Sequence, residues 1–397
     1  MTLNKDALLH SVKMFSRDYL TTRKSKLGFH NLYRFELFLW DLEMFLQFQE
    51  IFKDDLFLKG GAAVQFYLPV KFQRTSIDID MVTTRTREDI NNTILKLKSK
   101  FNNLINFRKH IPKNPKTKLP LYTYFMDYPS ICTTEEIHTA RGEIKLEFLI
   151  SKEQFPIQKV KAPELFIGKM NKTYNLAPLN LLLADKLTTF GPNTIGIPIE
   201  REDELIKHIY DIINLIQFNF KDIDFELVKE YFSIRAEQEC LFRGIKFSPK
   251  NIFTDILKQL SLLSMFDFNK YVNFERLINN FQSLYLNRAA RMKKYDWANN
   301  IKLIELFFKM IETGTDIKTV MNLLFSVKDI IEFKNVPDSN RSSIIKEFRV
   351  CLVEKFGRDL DIPEKVLLNR HHKRIVFYII NQENLSDVCT WIIKKFA

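Results

Sequence analysis

The sequence is poor in cysteine and has no long apolar run. Its four cysteines are scattered, without CxxC or histidine-paired spacing, at Cys132, Cys240, Cys351 and Cys389. That pattern disfavours a structural zinc site and a disulfide framework. No apolar run approaches the roughly 18 residues that a membrane-spanning helix needs. We therefore expect a cytoplasmic protein without a membrane partner, neither secreted nor embedded in a bilayer.

Two common nucleotide-binding signatures are missing as well. The sequence contains no GxGxxG fingerprint of dinucleotide-binding folds. The stretch from Gly191 to Gly196 has the glycine spacing of a P-loop, but Ile197 follows where that motif requires lysine. Any nucleotide site in this chain therefore has to be built from other residues.

Glycine and proline are concentrated in the first part of the chain. Seven of the ten glycines and ten of the thirteen prolines precede residue 226, together with every convincing strand. A single core rarely grows beyond roughly 250–300 residues, so 397 residues with 46% hydrophobic content predict two domains. We predict an α+β domain over residues 1–225, with a small mixed sheet and a helical portion at 176–225, followed by an all-α bundle over residues 226–397.

Hydrophobic periodicity predicts the individual elements. Strands are expected at 56–58, 76–82, 121–126 and 143–150. Helices are expected at 31–52, 62–68, 179–190, 204–217, 225–241, 250–264, 268–286, 297–312, 341–356 and 373–381. The helix at 31–52 is expected to be amphipathic.

Asp78 and Asp80 alternate with apolar residues in the predicted strand. Side chains of a strand alternate between faces, so both carboxylates point the same way, separated by about 7 Å of backbone, and can share divalent ions. An ordinary exposed strand with an acidic outer face satisfies the same alternation. The aspartate pair becomes stronger evidence for a site when a second feature nearby can bind another part of the same ligand.

That feature is Gly60-Gly61, which lies between a short apolar strand and a predicted helix. A backbone without side chains can approach an anion closely, and the first N–H groups of a helix favour phosphate. The glycine bend would hold phosphate while the next strand holds Mg²⁺. Together they predict a site for a metal-bound nucleoside triphosphate.

A third carboxylate would complete a metal site, and Glu147 is the first candidate. It alternates with Leu146 and Phe148 in a predicted strand, and therefore lies on the face opposite to them. A salt bridge to Lys145 is the competing explanation. Asp127 is a weaker substitute for the third position.

Lys186 lies within the apolar stripe of the predicted helix at 179–190. Burying an unpaired ammonium costs several kcal/mol, so this side chain must either reach water or meet an anion. A triphosphate would be a suitable anion. Asp211 is less distinctive, because an i,i+4 surface ion pair with Lys207 explains it adequately.

The net charge of +12 is unevenly distributed. No acidic residue occurs from Ile90 to Met126, a stretch that follows the paired aspartates and contains Lys109, Lys113 and Lys116. Such a stretch could hold a phosphate-rich polymer electrostatically. A solvated basic helix face followed by a basic loop is the alternative.

Five short pieces of sequence occur in an order shared with a known family. They are Leu58-Lys59-Gly60-Gly61-Ala62-Ala63, Ser76-Ile77-Asp78-Ile79-Asp80, Lys145-Leu146-Glu147, Leu181-Leu182-Leu183-Ala184-Asp185-Lys186-Leu187 and Ile209-Tyr210-Asp211-Ile212. In this order they resemble the AbiEii family of nucleotidyltransferase toxins, which includes the MenT-like enzymes and belongs to the polymerase-beta-like nucleotidyltransferase superfamily.

The resemblance implies a nucleotidyltransferase core in the first domain and assigns roles to these residues. The catalytic residues would be Asp78, Asp80, Lys186 and Asp211, and the ligands of Mg²⁺ or Mn²⁺ would be Asp78, Asp80 and Glu147. The nucleotide-binding residues would be Lys59, Gly60, Gly61, Ser76 and Lys186. Two positions depart from the family pattern: Glu147 stands where aspartate is usual, and His208 replaces an acidic residue three positions before Asp211.

The resemblance also implies a reaction and partners. An acceptor oxygen would attack the α-phosphorus of an NTP, and an RNA such as the 3′ end of tRNA suits the basic stretch together with Arg288 and Arg291. The chain would be a toxin of a type IV toxin–antitoxin or abortive-infection system, with a possible cognate antitoxin. Two alternatives stay open: transfer to a small molecule or a protein hydroxyl, and a catalytically silent protein that binds nucleotide or RNA.

Overall fold

The computed structural model describes residues 5–111, 120–133, 141–152, 155–201, 203–265, 272–314, 317–357, 364–381 and 384–397. Lys113 and Lys116 lie outside the described residues. The strands are β1 (Leu56–Lys59), β2 (Asp78–Thr83), β3 (Asn106–Lys109), β4 (Leu121–Tyr128), β5 (Gly142–Ile150), β6 (Gln158–Lys161), β7 (Glu164–Leu165), β8 (Gly168–Lys169) and β9 (Thr173–Leu176).

The helices before residue 225 surround these strands, and the later ones follow without further strands in the described part of the chain. The first group is α1 (Arg17–Leu27), α2 (Leu32–Phe52), α3 (Gly60–Val64), α4 (Arg87–Lys100), α5 (Leu179–Leu187) and α6 (Asp203–Asn219). The second group is α7 (Phe225–Arg243), α8 (Pro249–Met265), α9 (Val272–Tyr285), α10 (Lys294–Thr313), α11 (Ile317–Ile330), α12 (Asp338–Phe356), α13 (Glu364–Leu368), α14 (His372–Ile379) and α15 (Leu385–Phe396).

Seven strands form one mixed sheet in the order β3-β4-β5-β2-β1-β9-β6. The strand β2 runs antiparallel to β1 and parallel to β5, and β4 runs antiparallel to β5. The predicted α+β class, a small mixed sheet flanked by helices and followed by a helical part, is confirmed. None of the helices in the described ranges is both long enough and apolar enough to cross a membrane.

Several elements of the fold were not predicted from the sequence. The helix α1 has few apolar residues and only Leu20 is buried, so it shows little hydrophobic periodicity. Its ends are fixed by Ser16, whose side chain accepts from the Tyr19 N–H, and by Gly28 in the left-handed conformation. The edge strands β3 and β6 are short and mostly exposed, so they carry little hydrophobic alternation. The helices α11, α13 and α15 were also missed.

The helix α2 was expected to be amphipathic, and this prediction is wrong. Nearly all of its residues from Phe35 to Phe48 are buried, because the sheet covers one side and the N-terminal segment covers the other. Glu43 anchors that segment: it accepts from the Leu9 and His10 backbone N–H groups at 2.9 and 3.0 Å. The His10 ring also contacts Glu43, with Nδ1 2.7 Å from Oε2.

Asp41 on α2 is a fully buried carboxyl group in this packed layer. Both of its side-chain oxygens are buried without a hydrogen-bond partner among the described residues. Burial raises the pKa of Asp41 well above its usual value, and the charges of Asp78 and Asp80 raise it further. The folded protein therefore holds Asp41 as the neutral acid under conditions in which the unfolded chain ionises it.

We expect Asp41→Asn to raise the free energy of unfolding, by a margin that grows with pH. Above pH of about 4 the unfolded wild-type chain loses the proton that the folded protein retains, so wild-type stability falls by about 1.4 kcal/mol per pH unit until the pKa of the folded state is reached. Asparagine does not titrate, so the variant lacks this loss. Urea unfolding at several pH values measures the difference.

The exposed Asp222→Asn variant is the control for the charge change in this experiment. A stability difference between Asp41→Asn and wild type that does not change from pH 4 to pH 7 would contradict a neutral Asp41.

Candidate active site

One face of the sheet collects charged side chains from three adjacent strands. In the strand register, Asp80 of β2 lies opposite Lys59 of β1 on one side and Glu147 of β5 on the other. Asp78 lies opposite Lys145 in the same parallel pair. All five residues are partly exposed. The structure thus brings both aspartates to one face, together with two lysines and one glutamate.

The glycine bend lies directly against this face. Gly60 follows β1 with φ +70°, and a Cβ added to it would lie 1.9 Å from Oδ2 of Asp80. A Cβ on Gly61 would lie 2.6 Å from Nη2 of Arg74 and 3.0 Å from Oγ of Ser76. Only glycine permits both the backbone conformation and the close approach. Gly60 is needed for both its conformation and its approach to Asp80, and Gly61 for the close approach of Arg74 and Ser76.

Behind the bend, Asp211 joins two cations in a buried cluster. Arg74 donates to it in a bidentate arrangement, Nε to Oδ1 and Nη2 to Oδ2, each at 2.7 Å. The Lys186 ammonium lies 2.7 Å from the same Oδ2. Arg74, Lys186 and Asp211 are 3%, 4% and 0% exposed, which makes this an internal charge cluster.

The electrostatics of the cluster favour its ionised form. Burial opposes the ionisation of Asp211, but Arg74 and Lys186 outweigh it and lower the pKa of Asp211 to about 2. Burial lowers the pKa of Lys186, while Asp211 acts in the opposite direction. Because one carboxylate is shared by two cations, the cluster retains an excess positive charge close to Asp80, with which Lys186 interacts.

The surface ion pair with Lys207 that would have explained Asp211 is ruled out. Asp211 is fully buried, and its carboxylate pairs with Arg74 and Lys186 instead of Lys207. The neighbouring Tyr210 packs against the later helices, through Phe281 and Trp297. Of the two outcomes expected for Lys186, the structure shows the second. It meets an anion, and that anion is the carboxylate of Asp211.

Gln65 connects the glycine bend to the buried cluster. Its Nε2 donates to the Gly61 carbonyl at 2.7 Å, and its Oε1 accepts from the Arg74 backbone N–H at 2.7 Å. Neither Gln65 nor Arg74 was predicted from the sequence. Gln65 lies in a short 3-10 helix after α3 and Arg74 in the loop before β2, and neither position has a sequence signal for its partners. Only the tertiary contacts reveal their place.

A second ion chain, also missed by the sequence analysis, lies on the other side of Lys59. The Lys59 ammonium is 3.8 Å from Oδ2 of Asp185, and Arg235 of α7 donates to Oδ1 of the same carboxylate. Burial raises the pKa of Asp185, but the charges of Arg235 and Lys59 outweigh this effect, so the pKa is lowered. Asp185 directly precedes Lys186, so neighbouring positions of α5 serve the two ion clusters on either side of the site.

Asp78 and Asp80 have donor chemistry that suits a divalent cation. Burial raises the pKa of both carboxyl groups. Lys145 opposes the shift at Asp78, to which the charge of Asp80 adds, and Lys59 opposes the shift at Asp80. A cation between the two carboxylates would offset both their mutual repulsion and the energetic cost of burying their charges. The pair therefore fits Mg²⁺ or Mn²⁺.

Glu147 is held by other partners. It accepts from Oγ1 of Thr123 at 3.1 Å, and its second oxygen is 3.1 Å from the Lys145 ammonium. In the described ranges, no group of three or more His, Cys, Asp and Glu side chains lies close enough to hold a metal ion. The contribution of Glu147 to metal binding stays a prediction, and the weaker substitute, Asp127, is paired with Arg108.

His208 lies next to the buried cluster. Its Nδ1 is buried without a hydrogen-bond partner among the described residues. Burial, followed by the charge of nearby Lys186, holds the pKa of His208 well below its usual value. The departure from the family pattern thus replaces an acidic residue with a neutral imidazole beside two cations.

The residues predicted to contact nucleic acid lie at two separate places. Lys109 is exposed on the edge strand β3, beside Arg108, which pairs with Asp127 and Glu143. Arg288 and Arg291 are exposed in the connection between α9 and α10.

These features are those of a nucleotidyltransferase, and the family comparison agrees. A sequence model described as nucleotidyl transferase AbiEii toxin, type IV TA system, matches residues 45–293. The match covers more than half of the chain and includes both aspartates, the glycine bend and the buried cluster. The chain belongs to the AbiEii family of nucleotidyltransferase toxins, as the resemblance implied. No similar protein was found among curated proteins.

We expect Asp211→Asn to lower the free energy of unfolding by about 3–5 kcal/mol, because removing this charge leaves two buried cations without a compensating carboxylate. Urea unfolding measures the loss. Asp127→Asn is the matched control, since its partly exposed pair with Arg108 contributes at most about 1 kcal/mol. Equal losses in the two variants would show that the buried cluster contributes nothing beyond a surface pair.

Proposed function

We propose that this protein transfers a nucleoside monophosphate from an NTP to a hydroxyl group of RNA, such as the 3′ end of a tRNA, in a reaction that depends on Mg²⁺ or Mn²⁺. The observation that carries the proposal is the contact between the Gly60 bend and Asp80, with Asp78 on the same face. A site for a metal-bound triphosphate needs a bend that binds phosphate and carboxylates that bind the metal. Both features lie together at Gly60 and Asp80.

We assign the binding roles as follows. Asp78 and Asp80 hold the divalent ion, which would neutralise the charge that develops on the phosphates. Gly60 and Gly61 receive the triphosphate at the bend, beside Ser76. Lys59 and Lys186 supply positive charge to the phosphates, and Lys145 adds a third cation close to Asp78.

In the reaction, an acceptor oxygen attacks the α-phosphorus in line with the leaving pyrophosphate. The bond between the acceptor oxygen and phosphorus forms as the bond to the pyrophosphate oxygen breaks, and the hydroxyl proton leaves to a base. We propose that one carboxylate of the site assists this proton transfer.

The role that we propose for Asp211 differs from that of an acid in contact with substrate. Its two carboxylate oxygens are occupied by Arg74 and Lys186. Asp211 therefore acts by positioning Lys186 beside the phosphates. Glu147 acts in a similar way on Lys145, to which it is paired.

We further propose a biological setting and a division of the chain. Residues 1–225 form the nucleotidyltransferase domain, with its helical portion at 176–225, and residues 226–397 form a helical domain that positions the acceptor. The family is one of toxins from type IV toxin–antitoxin systems, so a cognate antitoxin is the expected partner. The cytoplasm, where NTP and RNA are both present, is the expected site of action.

Asp80→Ala should abolish the transfer of label from an α-³²P-labelled NTP to RNA, because the variant loses a metal ligand at the point where the bend meets the strand. Purified protein is incubated with total RNA and with each labelled NTP in turn. Asp222→Ala is the control, since Asp222 is exposed just after α6, has no role in the proposed site and changes the charge equally. Label transfer retained by Asp80→Ala would refute the assignment.

The destination of the label decides the acceptor. Label recovered on a small molecule or on protein would overturn the RNA assignment while preserving the nucleotidyltransferase chemistry. Calorimetric binding of NTP without transfer to any acceptor would indicate a catalytically silent protein.

Chelation tests the metal dependence separately. We expect EDTA to stop the transfer completely and an excess of Mg²⁺ or Mn²⁺ to restore it, because two neighbouring carboxylates cannot bind a triphosphate without a cation between them. The readout is the initial rate of label transfer at each concentration of free metal. A rate that is unchanged in excess EDTA would contradict this role of Asp78 and Asp80.

A further inference from the structure

A basic surface lies next to the loop that leads into β2 and takes no part in the chemistry assigned above. It is centred on the connection between α9 and α10, where Arg288 and Arg291 are exposed. This connection packs against the end of α1, with the Arg288 backbone N–H donating to the Gly28 carbonyl at 3.2 Å. The members of the basic surface are Lys24, His30, Arg288, Arg291 and Lys293.

The first part of the surface opens into a cavity of about 560 Å³. Lys24, His30, Tyr33 and Arg291 are among the residues that line it. Among the described ion pairs, Arg288, Arg291 and Lys24 have no carboxylate partner. The pKa of His30 is lowered, first by its slight burial and then by the charges of Arg291, Arg288 and Lys24. These three cations therefore lie close enough to the ring to disfavour its protonation.

The second part of the surface continues towards the helical domain. Burial and Lys373 lower the pKa of His371 and Asp296 opposes the shift. Lys293 and Arg349 lower it further, so these two cations lie near that ring. The His371 ring stacks on Tyr295, with centroids 4.4 Å apart. The segment from Arg288 to Tyr295 therefore runs from the junction of α1 and α2 to the start of α14.

The same segment is joined to the chain that leads into β2. The Tyr285 carbonyl accepts from the Thr75 N–H at 3.1 Å, and Leu286 forms a β-bridge with Arg74. Asn287 donates through Nδ2 to the Lys71 carbonyl at 2.8 Å. The basic surface thus begins where the residues preceding Asp78 are anchored.

We propose that this basic surface binds the phosphate backbone of the acceptor RNA and guides its 3′ end to Asp78 and Asp80. The inference rests on the proposed function, because it takes RNA as the acceptor. Cations without carboxylate partners, arranged over two parts of the fold, suit a chain of phosphates better than a single small anion. The Tyr33 ring at the cavity offers a stacking surface for an unpaired base.

The test compares RNA binding with nucleotide binding in a charge-reversed variant. The double substitution Arg288→Glu and Arg291→Glu is made in the full chain, and Lys250→Glu with Lys258→Glu is the control, since both lysines are exposed on α8 and the net charge changes equally. The affinity for a fluorescent stem-loop RNA with a single-stranded 3′ end is measured at several salt concentrations. NTP binding is measured by calorimetry.

We expect the Arg288/Arg291 variant to bind the RNA on the order of 100-fold more weakly at low salt, and its salt dependence to be shallower by the equivalent of about two phosphate contacts. The control should change little, and NTP affinity should be the same in all three proteins. Unchanged NTP binding also shows that the variant is folded.

If the Arg288/Arg291 variant binds RNA as tightly as the control, the assignment of this surface to RNA binding is wrong. A wild-type protein that binds no RNA would also overturn the assignment. A second variant, Lys24→Glu with Lys293→Glu, should weaken RNA binding in the same direction. Failure of the proposed function is seen separately: it appears as label transferred elsewhere or not at all, whereas the surface is judged by RNA affinity alone.

Discussion

The buried salt bridges of Asp211 to Arg74 and Lys186 are the interaction on which the rest of the site depends. Arg74 lies in the loop before β2, Lys186 is on α5 and Asp211 is on α6, so one carboxylate ties three segments together. Charges this deeply buried are stable only when paired, which opposes any displacement of one segment from the others. The cluster also keeps Lys186 in electrostatic interaction with Asp80.

The catalytic face has the opposite character, because its charges are only partly compensated. Asp78 and Asp80 have raised pKa values from burial, while Lys59 and Lys145 stand beside them in the strand register. The proposed binding of a metal-bound triphosphate, which brings charge of both signs, rests on this combination of charges. The glycine bend completes it, since any side chain at Gly60 would collide with the Asp80 carboxylate.

The local patterns in the sequence were sufficient for the strand that carries the aspartates and for the bend. Alternation placed Asp78 and Asp80 on one face, and the strand register agrees. The pattern failed where packing from distant segments decides burial. The helix α2 is buried by the sheet on one side and by the N-terminal segment on the other, and Asp211 is buried against Arg74 and Lys186 from two other segments. A periodicity analysis of one helix contains neither contact.

By itself, the sequence determined the α+β class, the family and the positions of both aspartates and both glycines, since each depends on residue type and short-range spacing. Only the tertiary structure decided that Lys186 meets Asp211, that Arg74 and Gln65 support the bend, and that Arg288 lies beside the chain entering β2. These are contacts between segments far apart in sequence. Their geometry is set by how helices and strands pack, which short-range spacing does not encode.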